Sequence, residues 1–422
     1  MSDILEFYKE QARKNTSSLP WLAQLQTHAL GELSCLGFPT RHYEEWKYTS
    51  VDSFTKQTFE DHRTFSAGST AVHSDLPVKQ QIQLINGQIL GVDELVKQMP
   101  EGVIVMPLAE AMVQHADLVQ SYLGKALEQE HGFHALNTAM IQCGLFIYIP
   151  QKVIIEEPIA LVHYQDQMHQ AVYLRHLIIA ESESTATIIE EFTGKEQCPY
   201  VTNTVTEIFT AKLSKLDHFK IQRESKEAYH LGHMSVQQSA YSDFSSHSLS
   251  LGGKLVRSDL TIYLQEEFSQ CLMNGIYAPT EGQHIDHHTT VHHLVPNCKS
   301  EQDYKGILKG RSRAVFNGKV KVAKDAQHTD AQQQNKNLLL SAHAEIDTKP
   351  QLEIFAHDVQ CTHGATVGQL DEDALFYLAT RGIDRIEASR YLIHAFANDN
   401  LRLIPFPELA EWMRQLVTEQ VG

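Results

Sequence analysis

LFIYIP (145–150), PIALVHY (158–164), VYLRHLIIA (172–180), TATIIEEF (185–192), YVTNTVTEIFT (200–210), KLVRSDLTIYL (254–264), HHTTVHHLV (287–295) and AVFNGKVKVA (314–323) follow one another through the middle of the chain. Each run is short and rich in Val, Ile, Thr, Tyr or Phe, which is strand composition. Almost no 3.6-residue periodicity interrupts them, so the centre of the chain reads as a sandwich, a barrel or a parallel β-solenoid. Strand spacing does not choose among the three. Hairpin dipeptides are few, chiefly Asn274-Gly275 and Asn317-Gly318, and their scarcity leans toward a solenoid.

Outward from this core the texture becomes helical. On the amino-terminal side, Leu22, Leu25, Ala29, Leu33 and Leu36 recur near the helical period until Gly37-Phe38-Pro39 breaks it. Asn86-Gly87 is a turn signal between apolar flanks, and a further helical stretch is expected over roughly 108–142. On the carboxy-terminal side, Gly382 fits just past the end of a helix over DEDALFYLATR. Asp384 and Glu387 have capping-box spacing at the start of the next helix, with Leu392, Ile393 and Phe396 on one face. Pro407 suits a first helical position, and Leu409, Trp412, Met413, Leu416 and Val417 form an apolar stripe whose default role is packing on the body. The Gln/Asn-rich segment 326–337 reads as a solvated loop, with an amide ladder in a solenoid as the weaker option.

The chain has 422 residues, 21% charged and 42% hydrophobic, the composition of a folded globular protein. Lys+Arg 35 against Asp+Glu 52 leaves a net charge of −17, a field that repels nucleic-acid phosphates and anionic membranes. MSDILEFYKEQARKNTSSLPW lacks the basic-then-apolar order of a secretory signal, and no apolar run is long enough to span a bilayer. The six cysteines are widely spaced with no CxxC, which reads as reduced thiols in the cytoplasm. There is no GxxxxGK[ST], no GxGxxG after a strand, no GxSxG and no HExxH, so the common nucleotide-binding and hydrolase signatures are absent.

Three groups of residues could carry chemistry. HIDHHTTVHH offers His284, His287, His288, His292 and His293, but on a strand adjacent residues face opposite ways and no ligand spacing is defined. His131 and His134, at i and i+3 on a helix, read as a surface pair. In LEIFAHDVQCTHGATVGQL, Cys361 and His363 are two residues apart, so on a strand both face one way. A thiolate beside an imidazole suits iron, zinc or an iron–sulfur cluster, yet a cluster needs about four ligands. Spacing alone favours a packed thiol beside a hydrogen-bonded imidazole.

Three long strings, PTRHYEEWKYTS, HALNTAMIQCGLFIYIP and NKNLLLSAHAEIDTKPQLEIFAHDVQCTHGATVGQLDEDALFYLATRGI, cover the chain nearly end to end in the order found in one family. In them the sequence resembles the SufB/SufD family of the SUF iron–sulfur cluster assembly system. Within that family Thr362-His363-Gly364-Ala365-Thr366 is more similar to the SufD branch than to the EHEAT-like string of the SufB branch. The resemblance implies an α+β fold: a mostly helical region over 1–144, a right-handed parallel β-helix core over 145–366, and a C-terminal helical domain over 367–422. It implies a non-catalytic scaffold that pairs with SufB through the β-helix and binds the ATPase SufC through the helical domain. The isolated chain would hold no tightly bound cofactor, a transient cluster appearing only in the complex; whether the chain alone pairs with a second copy as a homodimer is left open by the sequence. His363 first and Cys361 second are the residues implied at the shared assembly site, with Leu375, Phe376, Tyr377, Arg381 and Ile383 implied at the SufC contact. The competing readings are a β-helix carbohydrate-active enzyme, which needs carboxylates at matching rungs of one groove, and a stand-alone His-rich metalloprotein.

Overall fold

In a computed structural model, which describes residues 2–61, 71–141 and 143–422, each of the apolar runs quoted above falls on a strand. The amino-terminal part contains α1 (Ser2–Lys14), α2 (Pro20–Leu36), α3 (Asp52–Thr55), β1 (Gln81–Ile85), β2 (Gln88–Leu90), α4 (Val92–Val96), β3 (Ile104–Pro107), α5 (Leu108–Gln114), α6 (Ala116–Tyr122) and α7 (Gly132–Ala139). The core then runs through β4 (Leu145–Ile149), β5 (Ile159–Gln165), β6 (Ala171–Ala180), β7 (Thr185–Gly194), β8 (Val201–Thr210), β9 (Lys215–Gln222), β10 (Tyr229–Gln238) and β11 (Asp243–Ser250). It continues through β12 (Leu255–Leu264), β13 (Gln270–Tyr277), β14 (His284–His293), β15 (Lys299–Leu308), β16 (Arg313–Val322), β17 (Thr329–Leu339), β18 (Glu345–Ile354) and β19 (Val359–Gly368). The helices α8 (Glu372–Thr380), α9 (Arg385–Leu401) and α10 (Pro407–Val421) follow.

Odd-numbered strands from β5 to β19 form one sheet and even-numbered strands from β4 to β18 the other, each pairing in parallel with the strand two ahead. The chain thus crosses from sheet to sheet at every step, making a parallel β-solenoid of about eight turns between helical regions, the expected fold class. Among the described residues antiparallel pairing appears only at the amino-terminal end, where Asn86-Gly87 turns β1 into β2 in a hairpin and β3 runs antiparallel to β4.

Register in the coils makes columns of like residues. Ile178, Ile208, Val236, Ile262, Val291 and Val320 stack one above another inside the even sheet. These inward positions form the apolar part of the lumen, and burial of such side chains stabilises by about 1.5–3 kcal/mol each. Asn274-Gly275 and Asn317-Gly318 are not turns but lie within β13 and β16. Their glycines make room for a neighbouring coil: a Cβ at Gly275 would meet the Tyr304 ring, and one at Gly318 the Gln333 amide.

Other expectations need correcting. The 326–337 segment is not a solvated loop; it contains most of β17, where Gln333, Asn335 and Asn337 point into the lumen. Asn337 Nδ2 donates to Asn335 Oδ1 at 2.7 Å and Asn335 Nδ2 to Tyr277 Oη at 3.0 Å, while Gln333 Nε2 donates to the Gly318 carbonyl at 3.0 Å. The stretch over 108–142 is three short helices rather than one, with Gln142 outside the described residues. His131 and His134 are buried, not a surface pair.

The C-terminal helices lie on the outer face of the odd sheet. Leu409, Trp412, Met413, Leu416 and Val417 of α10 and Ile393, Ala397 and Leu401 of α9 pack on Val162, Ile189, Phe219, Leu249 and Ile276. Asp384 caps α9, accepting from the Ile386 and Glu387 amides at 2.9 Å, and Pro407 opens α10. Among the described residues no helix is long and apolar enough to cross a membrane.

Candidate functional site at the open end of the solenoid

β18 and β19 are the last strands of the two sheets, each paired on one side only. Because pairing is parallel and in register, the inward face of the final coil can be read from the coil beneath it. Cys361 lies beside Ala331 and His363 beside Gln333. Ala331 and Gln333 are buried lumen residues, so Cys361 and His363 continue lumen columns to the mouth of the solenoid. The same face of β19 carries Val359, Ala365 and Val367, and the opposing face of β18 carries Ile346, Thr348, Pro350, Leu352 and Ile354. Thr348 Oγ1 donates to the lumen amide oxygen of Asn335 at 2.9 Å. Val367 is 50% exposed and Ile354 38%, where equivalent positions in earlier coils are buried. Two unsatisfied strand edges and an apolar rim are features that a protein covers or pairs.

Cys361 is half-buried against Val320, Val322 and Ala331. Burial, reinforced by the charge of Asp330, pushes its thiol up from the usual cysteine range, so it stays protonated at neutral pH. His363 is exposed. Two residues along a strand separate their Cα atoms by about 6.6 Å, and both side chains project to the open mouth.

The residues expected at an ATPase contact divide. Leu375 is buried and so offers no exposed surface to a partner in the folded chain. Phe376 and Tyr377 are exposed, Arg381 lies over the Tyr377 ring, and Ile383 is half-buried. Ile386 and Tyr391 on α9 are exposed too and escaped the sequence reading. Tyr391 lies off the face of α9 that carries Ile393 and Ala397, a signal the sequence held, whereas Ile386, seven residues before Ile393, shares that stripe and is exposed in the first turn all the same.

The histidine-rich strand β14 alternates as its period requires. His287 and His293 face the lumen, each at hydrogen-bond distance from a serine, Ser250 at 3.0 Å and Ser300 at 2.8 Å. His284, His288 and His292 face outward to separate partners: Thr49, the Asp286–Arg257 pair, and the Tyr263 ring. The five imidazoles do not converge. What sequence reasoning missed is the outward network of β12 and β14. Arg257 binds Asp259 and Asp286, each at 2.8 Å, and lies over the Trp46 ring.

The chain matches two family models, one described as the SufBD core domain of SUF system FeS cluster assembly (residues 163–396) and one as the SufBD protein N-terminal region (residues 2–161). It is 32% identical to the iron–sulfur cluster assembly protein SufD of Escherichia coli, over 94% of this chain and 92% of that one. It is 30% identical to a SufBD-family iron–sulfur cluster assembly protein of Synechocystis, over 98% and 94%. SufB of Bacillus subtilis is 25% identical over 76% of this chain and 70% of its own length. None of these names points to carbohydrate chemistry. With a core-domain match over more than half its length and near-complete alignment to SufD, the chain belongs to the SufB/SufD family of SUF iron–sulfur cluster assembly proteins.

Proposed function

We propose that this chain is a non-catalytic scaffold subunit of a cytoplasmic SUF assembly complex, pairing end to end with a SufB-type chain and binding a SufC-type ATPase. The observation that carries the reading is the uncapped last coil, with two free strand edges and a half-exposed apolar rim around Cys361 and His363. A partner with a similar solenoid end can extend both sheets by strand addition. The nascent cluster is then cargo at the seam. His363 offers a neutral imidazole and Cys361 a thiol that becomes a ligand once deprotonated, and the partner supplies the remaining ligands that a cluster needs. When alone, the same end supports pairing with a second copy. The chain has no P-loop, so ATP hydrolysis falls to the partner. Phe376, Tyr377 and Arg381, together with Ile386 and Tyr391, form the exposed surface offered to it.

The test is co-expression of the tagged chain with SufB and SufC from the same genome, followed by anaerobic affinity purification. Both partners should be retained, and the complex should carry iron and sulfide after reconstitution. His363→Ala should keep all three subunits and lose most of the cluster, with Cys361→Ser milder. Purification of the chain without either partner would sink the scaffold reading. Full iron and sulfide in the His363→Ala complex would remove His363 from the site.

A further inference from the structure

A second cluster of potential ligands lies far from the open end, where α7 meets the outer face of the even sheet. His131 precedes the first turn of α7 and His134 lies three residues on, so both rings fall on one side of the helix. Their ring centres are 3.7 Å apart. Beneath them His233 of β10 and Asp259 of β12 are direct cross-strand neighbours. The His134 and His233 rings are 4.4 Å apart, and His131 Nε2 lies 3.8 Å from Asp259 Oδ2. The ligand atoms of His131, His134 and Asp259 all fall within 4.8 Å of one another.

All three histidines are buried, and five of their six ring nitrogens are unpaired. Both nitrogens of His131, both of His134 and Nδ1 of His233 have no hydrogen-bond partner among the described residues. Buried polar atoms left this way cost about 1–3 kcal/mol each, and so many in one place call for a ligand. We propose that His131, His134, His233 and Asp259 form a mononuclear site for a divalent first-row transition metal.

The donor set is three imidazoles and one carboxylate, which suits zinc, cobalt or ferrous iron. Ligation needs metal–nitrogen bonds of about 2.1 Å, so the His131 and His134 rings, whose centres are 3.7 Å apart, have to rotate until their nitrogens point at a common centre. The surrounding shell is in place. Arg257 Nε holds Asp259 Oδ1 at 2.8 Å, leaving Oδ2 turned toward His131, and Arg257 is itself fixed by Asp286 and the Glu45 carbonyl. An entry path exists as well. A cleft of about 200 Å³ reaches His131, His233 and Asp259; its walls carry Glu44, Glu45, Glu128 and Glu130 together with Arg257, Lys319 and Lys321, so the acidic groups outnumber the basic ones. The lumen trio His163, His176 and Glu190 is similarly close but chemically unsuited. His176 Nδ1 accepts the Leu145 amide at 3.1 Å, so its Nε2 carries the proton and has no lone pair to give.

The experiment uses the full chain, stripped of metal by a chelator and titrated anaerobically with cobalt(II). One equivalent should bind with micromolar affinity or tighter and give tetrahedral d–d absorption, displaced by zinc. His134→Asn and His233→Asn should each weaken cobalt binding ~10-fold or more while circular dichroism stays unchanged. Should these variants fail to fold, anomalous diffraction from a cobalt-soaked wild-type crystal decides the matter, with a peak expected between the four side chains. No saturable binding, unchanged affinity in folded variants, or an anomalous peak elsewhere would overturn the site.

Discussion

Arg175 has no exposed surface, although it interrupts the apolar run VYLRHLIIA. Its Nε and Nη2 donate to Glu207 Oε1 at 3.0 and 2.6 Å, and its Nη1 to Asn137 Oδ1 at 3.2 Å. Glu207 in turn accepts the amides of Gly124 and Ala126 at 2.8 and 2.9 Å. One buried pair thus ties α7 and the 124–126 loop to the second coil. Replacing both charges with apolar groups could be neutral, but removing one strands the other. Glu207→Gln should therefore destabilise the chain by about 3–5 kcal/mol, read as a lower urea midpoint at unchanged slope; a change under about 0.5 kcal/mol would show that the pair is not a clamp. The arginine was visible in the sequence as an anomaly, but its partner lies one coil away, and nothing in local spacing could have named it. The same reason hid His131 and His134. Their i, i+3 spacing was legible, while the burial comes from strands a hundred residues downstream. Cys361 and His363 were easier, because a strand's period of two puts them on one face whatever the register.

At the scale of elements, strands with a buried apolar face were readable and polar ones were not. β17 was mistaken for a loop because its inward residues are amides, and amides can face inward only when a neighbouring coil supplies Tyr277, Gly318 or Tyr304 as a partner. The corners of the coils were also silent. Glu183, Leu213, Tyr241, Phe268, Asn297 and His328 take left-handed backbone angles, with φ between 57 and 63°, at successive corners. Of these Asn297 and, more weakly, His328 are of types that announce such a turn. For α8, burial separates two roles that sequence left merged. Phe376→Ala with Tyr377→Ala removes exposed rings and should leave stability within about 0.5 kcal/mol, while reducing recovery of the ATPase subunit in a pull-down. Leu375→Ala deletes a buried side chain and should instead cost about 2–5 kcal/mol of local stability, read by faster proteolysis after 370. Equal ATPase recovery with and without the two rings would move the contact elsewhere.

Across the whole molecule, the helix–strand–helix order was legible from composition, because β-branched runs and apolar stripes differ in period. The solenoid was not, since sheet-to-sheet alternation is set by which strand pairs two ahead, a long-range fact. Its consequence is a polar interior that an ordinary sandwich would lack, and this bears on acid stability. His247 lies under the C-terminal helices against Phe219, and His287 and His293 lie in the lumen. Burial above all lowers their pKa values to about 4, about 3 and about 4. In the unfolded chain each titrates near 6.5. Between those values the unfolded state binds protons that the folded state refuses, so stability falls as pH drops below about 6.5 and is unaffected above it. Each group can steepen the loss by up to about 1.4 kcal/mol per pH unit. His288 acts in the opposite sense: Asp286 and Glu45 outweigh burial and raise its pKa, so it favours the fold below 6.5, but it is one group against three. Buried Glu190 and Asp286, held low chiefly by His218 and Arg257 against their own desolvation, add a further loss only in stronger acid. The urea midpoint should therefore fall clearly between pH 7.5 and pH 5.0, while these histidines contribute nothing above pH 7.5. A midpoint that held constant down to pH 5.0 would mean that these imidazoles are hydrated in the folded chain, and that the interior of the solenoid is open to water.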